Sequence, residues 1–181
     1  MNKNRFFIIN EQGMIPESLP KQIAFRDGYR YQLAEHFSIY IDIYHYKDID
    51  TEFISLTKHG FLTIKSGYAC DGPSGPTKII CDILTILGCI PLAGRGFKWL
   101  KWKILNPIMK GAFIHDALYQ LMRQGLLPQE ARLPSDKELR KICLEDGMNK
   151  FRANYVFVGV RKGAGYAADP KNKKRVYKAP V

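Results

Sequence analysis

The sequence predicts an α+β fold, in which an N-terminal antiparallel β-sheet precedes a C-terminal half of three helices. Residues 38–44 alternate isoleucine with tyrosine and aspartate, which is the two-residue period of a strand with two unlike faces. Residues 67–77 then concentrate glycine and proline. In the last third of the chain, His115 and Tyr119 stand one helical turn apart, and helix-starting and helix-ending residues follow.

The β-rich part is predicted to cover residues 1–66. Residues 52–56 and 61–64 are short apolar runs, and Lys58-His59-Gly60 lies between them, as in a hairpin turn. Residues 67–77 read GYACDGPSGPT, with three glycines and two prolines, which is typical of a shaped loop and not of regular structure.

Residues 78–107 form an apolar and then basic segment, and its apolar part, residues 78–94, is too short and too interrupted to span a bilayer. No acidic residue occurs between Ile83 and Ile114, and the chain's two tryptophans lie inside this basic stretch. One interpretation is a helix that buries its tryptophans and exposes its lysines. The other is a protruding surface, residues 79–105, that docks on lipid headgroups or on another protein. Its candidate contact residues are Trp99, Trp102, Lys98, Lys101 and Arg95.

Helices are expected near residues 110–124, 135–146 and 149–162. Ser135 and Glu138 have the spacing of a capping box, which predicts that the second of these helices opens at Ser135-Asp136. Gly147 is a plausible stop for it. A single domain is predicted for residues 1–168, with a helical part from residue 108, and residues 169–181 form a basic tail.

The chain carries 28 lysines and arginines against 17 acidic residues, a formal net charge of +11, which favours an anionic neighbour such as DNA, lipid headgroups or an acidic protein. Its four cysteines, Cys70, Cys81, Cys89 and Cys143, show no CxxC pair or framework-like spacing, so we expect reduced thiols and no structural zinc. The N-terminus shows no secretory signal. The expected location is the cytoplasm, unless the protein is carried out within a particle.

The candidate functional centre is the segment from His115 to Tyr119 together with Asp136. If their two helices are antiparallel neighbours, Asp136 can accept a hydrogen bond from His115, which fixes the tautomer of the imidazole and raises its basicity. Asp116 points about 100° away around the helix. There it can join backbone carbonyls of the loop in holding a hard cation. The alternative is a buried hydrogen-bonded pair of His115 and Tyr119 that orders the core.

These motifs together resemble a family of uncharacterised proteins that is common in tailed-phage genomes. The resemblance covers about residues 55–168. Its matching residues are Asp71-Gly72-Pro73-Ser74-Gly75-Pro76, His115-Asp116 with Tyr119, Asp136, and Val160-Arg161 followed by Gly163.

The same set is similar to phospholipase A2. That resemblance implies a phospholipase A2-like helical core, with His115 as general base, Asp136 as its orienting partner and Tyr119 as a supporting phenol. It implies calcium as the one candidate cofactor, with Asp116 as its carboxylate ligand. The loop residues of that site would be Tyr68, Asp71, Gly72 and Gly75. Against that family, residues 78–107 look like an insertion.

Three functions are expected in this order. The first is an accessory or minor structural protein of the phage virion, made in the host cytoplasm, bound to other virion proteins and present as a homo-oligomer or in multiple copies. The second is a calcium-dependent, phospholipase-type lipid hydrolase that acts on the host envelope. The third is nucleic-acid binding through residues 95–110 and the basic tail, which has charge but no motif behind it.

Overall fold

The structure, a computed structural model, describes residues 7–10, 13–16, 25–26, 31–73, 76–87, 89 and 94–172. The described residues form an N-terminal antiparallel β part and then helices, which confirms the predicted α+β fold. The strands are β1 (Phe7–Asn10), β2 (Gly13–Pro16), β3 (Phe25–Arg26), β4 (Tyr31–Leu33), β5 (Phe37–Tyr40), β6 (Ile49–Asp50), β7 (Ile54–Leu56), β8 (Phe61–Ile64) and β9 (Ala69–Cys70). The helices are α1 (Pro76–Leu87), α2 (Gly94–Arg123), α3 (Arg132–Glu145), α4 (Lys150–Gly163) and α5 (Gly165–Ala168).

All described strand pairs are antiparallel and fall into three groups. β1 pairs with β2, β4 lies between β3 and β9, and the largest group has the order β5-β8-β7-β6. The predicted hairpin is present as β7 and β8, with Leu56 opposite Leu62. The predicted strand over 38–44 ends earlier, at Tyr40, but its isoleucines Ile41 and Ile43 are still buried in the core.

The loop predicted over residues 67–77 is shorter in the structure. Ala69 and Cys70 pair with β4, where Cys70 lies opposite Tyr31, and α1 already begins at Pro76. Proline suits the first position of a helix because the missing N–H has no partner there anyway. The sequence did not show the β9 pairing, because the partner strand lies almost forty residues earlier in the chain.

The segment predicted as an insertion does not end at Pro107, because α2 runs through this proline without a break. A proline inside a helix removes one hydrogen bond and usually bends or ends the helix. Here the helix continues into the most buried part of the molecule. The insertion is also not wholly outside the core, since Cys81 and Leu105 belong to the main buried cluster.

The predicted capping box is wrong. Helix α3 begins three residues earlier, at Arg132, and Ser135 donates its hydroxyl hydrogen to the carbonyl of Ala131 inside the helix. Glu138 pairs with Lys141 and not with the helix start. Pro134 lies in the first turn of α3, where a proline is tolerated, so the helix can start before it. The stop near Gly147 is confirmed, since α3 ends at Glu145 and Gly147 has a φ of 90°.

The core joins the four-stranded group to the C-terminal half of α2. Phe37, Leu56 and Leu62 of the strands lie in one buried cluster with residues of the helix such as Phe113 and Leu118. This packing fixes α2 against the sheet, and the other helices are then placed by their contacts with α2 and with each other.

Gly111 marks the closest approach of α2 and α3. A Cβ atom at this position would lie 2.9 Å from Cδ1 of Leu139 and 3.3 Å from its carbonyl oxygen. The absent side chain therefore lets α3 lie close to α2, one turn before His115 on the same helix.

We expect Gly111→Ala to lower the free energy of unfolding by about 1–3 kcal/mol, because the added methyl group overpacks a buried contact. Chemical denaturation measures the change. Gly159→Ala is the matched control, since a Cβ there meets nothing within 4 Å and alanine favours a helix. Equal or greater stability of Gly111→Ala would contradict the close packing of α2 and α3.

Candidate functional site

The Asp136 carboxylate is the centre of a buried polar network. His115 Nε2 lies 2.7 Å from Asp136 Oδ1, and the Tyr119 hydroxyl donates to the same oxygen at 2.7 Å. Arg161 Nη1 donates to the other oxygen, Oδ2, at 2.7 Å. The predicted contact between His115 and Asp136 is therefore confirmed.

Three helices position the four side chains of this network. His115 and Tyr119 lie one turn apart on α2, so both face α3, and their rings are 4.0 Å apart between centroids. Asp136 lies in the second turn of α3 and is fully buried. Arg161, near the end of α4, reaches it from the third helix. The network thus ties α2, α3 and α4 together at one carboxylate.

The hydrogen bonds of this network also determine the charge states of Asp136 and His115. Burial alone raises the pKa of Asp136, but the hydrogen bonds from His115, Arg161 and Tyr119 outweigh burial and lower it. Burial alone lowers the pKa of His115, but the carboxylates of Asp116 and Asp136 outweigh burial and raise it. Asp136 is therefore ionised and accepts from His115, so Nε2 carries the proton and Nδ1 is the basic nitrogen of the neutral ring.

The second nitrogen of His115 lies beside a cleft. His115 Nδ1 is 4.0 Å from Asp116 Oδ1, and the side chain of Asp116 is partly exposed. Both residues line a cleft of about 1110 Å³ between α2, α4 and the residues that follow β9. Asp136 thus fixes one nitrogen of the imidazole, and His115, which is 6% exposed, lines a space large enough for a substrate.

Asp116 contacts the start of the predicted loop. Its carboxylate interacts with the Cys70 thiol, and burial together with this carboxylate raises the pKa of Cys70. Burial likewise raises the pKa of the Tyr68 hydroxyl, which lies close enough to Asp116 to sense its charge. Asp71 is exposed and lines the same cleft.

The resemblance to phospholipase A2 implies calcium at this position, and calcium takes six to eight oxygen ligands. The carbonyl of Tyr68 accepts a hydrogen bond from the Leu33 amide at 2.8 Å, and Ala69 and Cys70 pair with β4, so the start of the loop is engaged in the sheet. In the described part of the chain, no group of three or more histidine, cysteine, aspartate or glutamate residues can hold a metal. Asp116 and Asp71 therefore supply only part of a calcium shell.

Two predicted loop ligands have other outcomes. Gly72 has a φ of 69°, and a Cβ there would lie 2.5 Å from the Tyr31 ring, so glycine is required at this position by the packing of Tyr31. Gly75 lies outside the residues that the structure describes.

The predicted contact residues lie apart from this cleft. Trp99, Trp102 and Lys98 are exposed on the N-terminal half of α2, Arg95 is exposed near its start, and Lys101 is half-buried. The interpretation that buries the tryptophans is wrong, since Trp99 is 62% and Trp102 is 49% exposed. At 1.5 Å per residue, Trp102 and His115 are separated by about 20 Å along the same helix.

Sequence reasoning missed the cationic side of the network. Arg161 was part of the phage resemblance, but its bond to Asp136 had no local signal, because 25 residues separate them. Arg132 was also missed; it donates to the Tyr119 hydroxyl at 3.1 Å and to the Arg161 carbonyl at 2.6 Å. The apolar wall that α4 gives to the cleft was missed as well.

Comparisons with family models, with curated proteins and with solved structures found no match to this chain.

Proposed function

We propose that this protein is a hydrolase that cleaves ester bonds of phospholipid-type substrates, with His115 as its general base. The observation that carries the proposal is the unequal environment of the two imidazole nitrogens. Nε2 is held by the buried carboxylate of Asp136 at 2.7 Å, and Nδ1 lies beside Asp116 at the cleft. A histidine that a carboxylate orients through one nitrogen is suited to take a proton from water with the other.

The reaction uses one water and one ester. A water at Nδ1 gives its proton to His115 while its oxygen forms a bond to the ester carbonyl carbon. The tetrahedral intermediate then breaks its bond to the alcohol oxygen, and His115 returns the proton to that leaving oxygen. Asp136 stabilises the imidazolium in between, and Arg161 keeps the buried carboxylate ionised.

The lining of the cleft favours a lipid as the substrate. Its walls include apolar side chains from α2 and α4, namely Ile108, Ala112, Tyr155, Val156 and Val160. Arg123 and Lys162 also line it, so an acyl chain and an anionic headgroup both find matching chemistry. A sugar or a nucleotide would leave most of this apolar surface uncovered.

The test is release of fatty acid from vesicles of phosphatidylglycerol and phosphatidylethanolamine by the purified protein, followed by mass spectrometry of the products. We expect free fatty acid and lysophospholipid in equal amounts. The same assay with calcium and with a chelator decides the role of the ion: if calcium is required, Asp116→Asn is expected to lose activity and to need more calcium. Absence of ester hydrolysis in both conditions would refute the proposal.

A structural role in a phage particle is the second candidate. The network at Asp136 joins three helices whether or not catalysis occurs, and α4 exposes large apolar side chains, with Phe151 exposed by 85%. Exposed apolar surface of this kind is typical of proteins that assemble with others. Mass spectrometry of purified virions tests this candidate, and absence of the protein from them would refute it.

A further inference from the structure

Helix α1 exposes apolar side chains on the face that is turned away from the molecule. Ile79, Ile83 and Ile86 are spaced by four and three residues, so they share one face. Ile83 is 50% and Ile86 is 72% exposed. The buried residues of α1, Cys81 and Leu84, lie on the opposite side. A helix that is apolar on both faces is expected to be covered on both.

The N-terminal half of α2 is built in the same way. Arg95, Trp99 and Trp102 are spaced by four and three residues and lie on one exposed face, whereas Phe97, Lys101 and Ile104 lie on the opposite face and are only partly exposed. Lys103 extends over the Trp99 ring, with its Nζ 5.0 Å from the ring centre. Aromatic rings flanked by cations are typical of segments that rest in a membrane interface.

The net charge of residues 76–105 favours an anionic partner. Residues 76–105 contain five cationic residues, Lys78, Arg95, Lys98, Lys101 and Lys103, and a single acidic one, Asp82. Four of these cations lie on α2, so an anionic surface is attracted to its N-terminal half, and an isolated apolar protein groove would leave them unmatched.

We propose that α1 and residues 94–105 of α2, here called the docking hairpin, bind the surface of an anionic lipid bilayer. Its isoleucines and tryptophans enter the boundary between headgroups and acyl chains, and its lysines and arginine pair with lipid phosphates. None of the described helices is long and apolar enough to cross a membrane.

This inference is independent of the proposed hydrolase activity, because it uses none of the residues around His115. It would bring the proposed hydrolase to a lipid surface, because the docking hairpin and His115 share helix α2. The two proposals can fail separately. Vesicle binding without hydrolysis would contradict only the hydrolase, and hydrolysis of dispersed esters without vesicle binding would contradict only the docking hairpin.

The two tryptophans make the test direct, because the chain contains no others and both lie in the docking hairpin. We expect the fluorescence of the full-length protein to shift to shorter wavelength with phosphatidylglycerol vesicles and to be quenched by brominated acyl chains. Phosphatidylcholine vesicles should give neither effect, and added salt should reverse both.

Variants separate the apolar and the charged contributions. Ile83→Ser with Ile86→Ser is expected to weaken vesicle binding about tenfold or more, because two exposed apolar side chains that would enter the bilayer become polar. Lys98→Glu with Lys103→Glu is also expected to weaken it about tenfold or more. The matched controls, Phe151→Ser and Lys137→Glu with Lys150→Glu, change exposed residues outside the hairpin and should bind as the parent does. His115→Ala should also bind as the parent does.

Four results would overturn the inference. The first is no spectral shift with anionic vesicles, and the second is unchanged binding in the Ile83 and Ile86 variant while circular dichroism shows that it is folded. The third is a dimer in light scattering that this variant breaks, because a second copy would then cover the face. The last is duplex DNA that produces the same shift and the same loss in the variant.

Discussion

His115→Ala is expected to lower the rate of ester hydrolysis by about a hundredfold to ten-thousandfold, which is the usual contribution of a general base. The loss should fall on kcat and leave KM nearly unchanged, because the imidazole acts on water and not on the lipid. His59→Ala is the matched control, since His59 is exposed on the β7–β8 hairpin. Thermal unfolding of both variants separates a lost base from a lost fold.

The pH dependence adds a second readout for the same residue. The pKa of His115 is raised by its two carboxylate neighbours, and only the neutral imidazole takes a proton. The rate should therefore rise with pH through a pKa above about 6.5, the value of a free histidine. In Asp136→Asn the inflection should move to lower pH. A profile that is identical in the parent and in this variant would show that His115 is not the base.

The order of the secondary structure and the main contact of the site were predictable from the sequence. Residues 38–44 alternate along a strand, and the spacing of His115 and Tyr119 places both on one helix face. These signals are local, because the period of a strand or helix is visible within a few residues. The contact with Asp136 also followed, since two consecutive helices joined by a short connection usually pack side by side.

The rest depended on contacts between distant parts of the chain. Glycines and prolines in residues 67–77 predict an irregular backbone, but the pairing of Cys70 with Tyr31 requires a strand from the other end of the β part. In the sequence, Arg161 cannot be told apart from an ordinary exposed residue of a helix. Its role becomes visible only when α4 is placed beside α3. The exposure of Trp99 was unpredictable from residue type, because it is set by which face of α2 carries Leu105 and Ile108.

Asp136 connects the two candidate functions, because one carboxylate orients the proposed base and also joins three helices. Its three hydrogen bonds come from a histidine, a tyrosine and an arginine, and each donor lies on α2 or α4. A structural protein needs this carboxylate for stability, and a hydrolase needs it for stability and for the rate. Measurements of the rate and of the stability on the same variant therefore separate these two functions.

Asp136→Asn is expected to lower the free energy of unfolding by about 3–5 kcal/mol, because it leaves the buried His115 and the partly buried Arg161 without their anionic partner. Against a typical total of about 5–15 kcal/mol, this is a large loss. The control is Asp50→Asn, since Asp50 pairs with Lys65 at 2.8 Å with a side chain that is 72% exposed, and such a pair contributes about 1 kcal/mol or less. Urea denaturation of both variants gives the comparison.

The pH at which the difference between the parent and Asp136→Asn is greatest follows from the two pKa shifts. The lowered pKa of Asp136 stabilises the fold above about pH 3.9, the pKa of a free aspartate, and this contribution is lost as the pH falls through the lowered value. The raised pKa of His115 stabilises the fold below about pH 6.5 and is lost as the pH rises through the raised value. The difference in unfolding free energy should therefore be largest between about pH 4 and pH 6.5. A difference that is constant from pH 4 to pH 9 would show that His115 and Asp136 are not an ion pair in the folded protein.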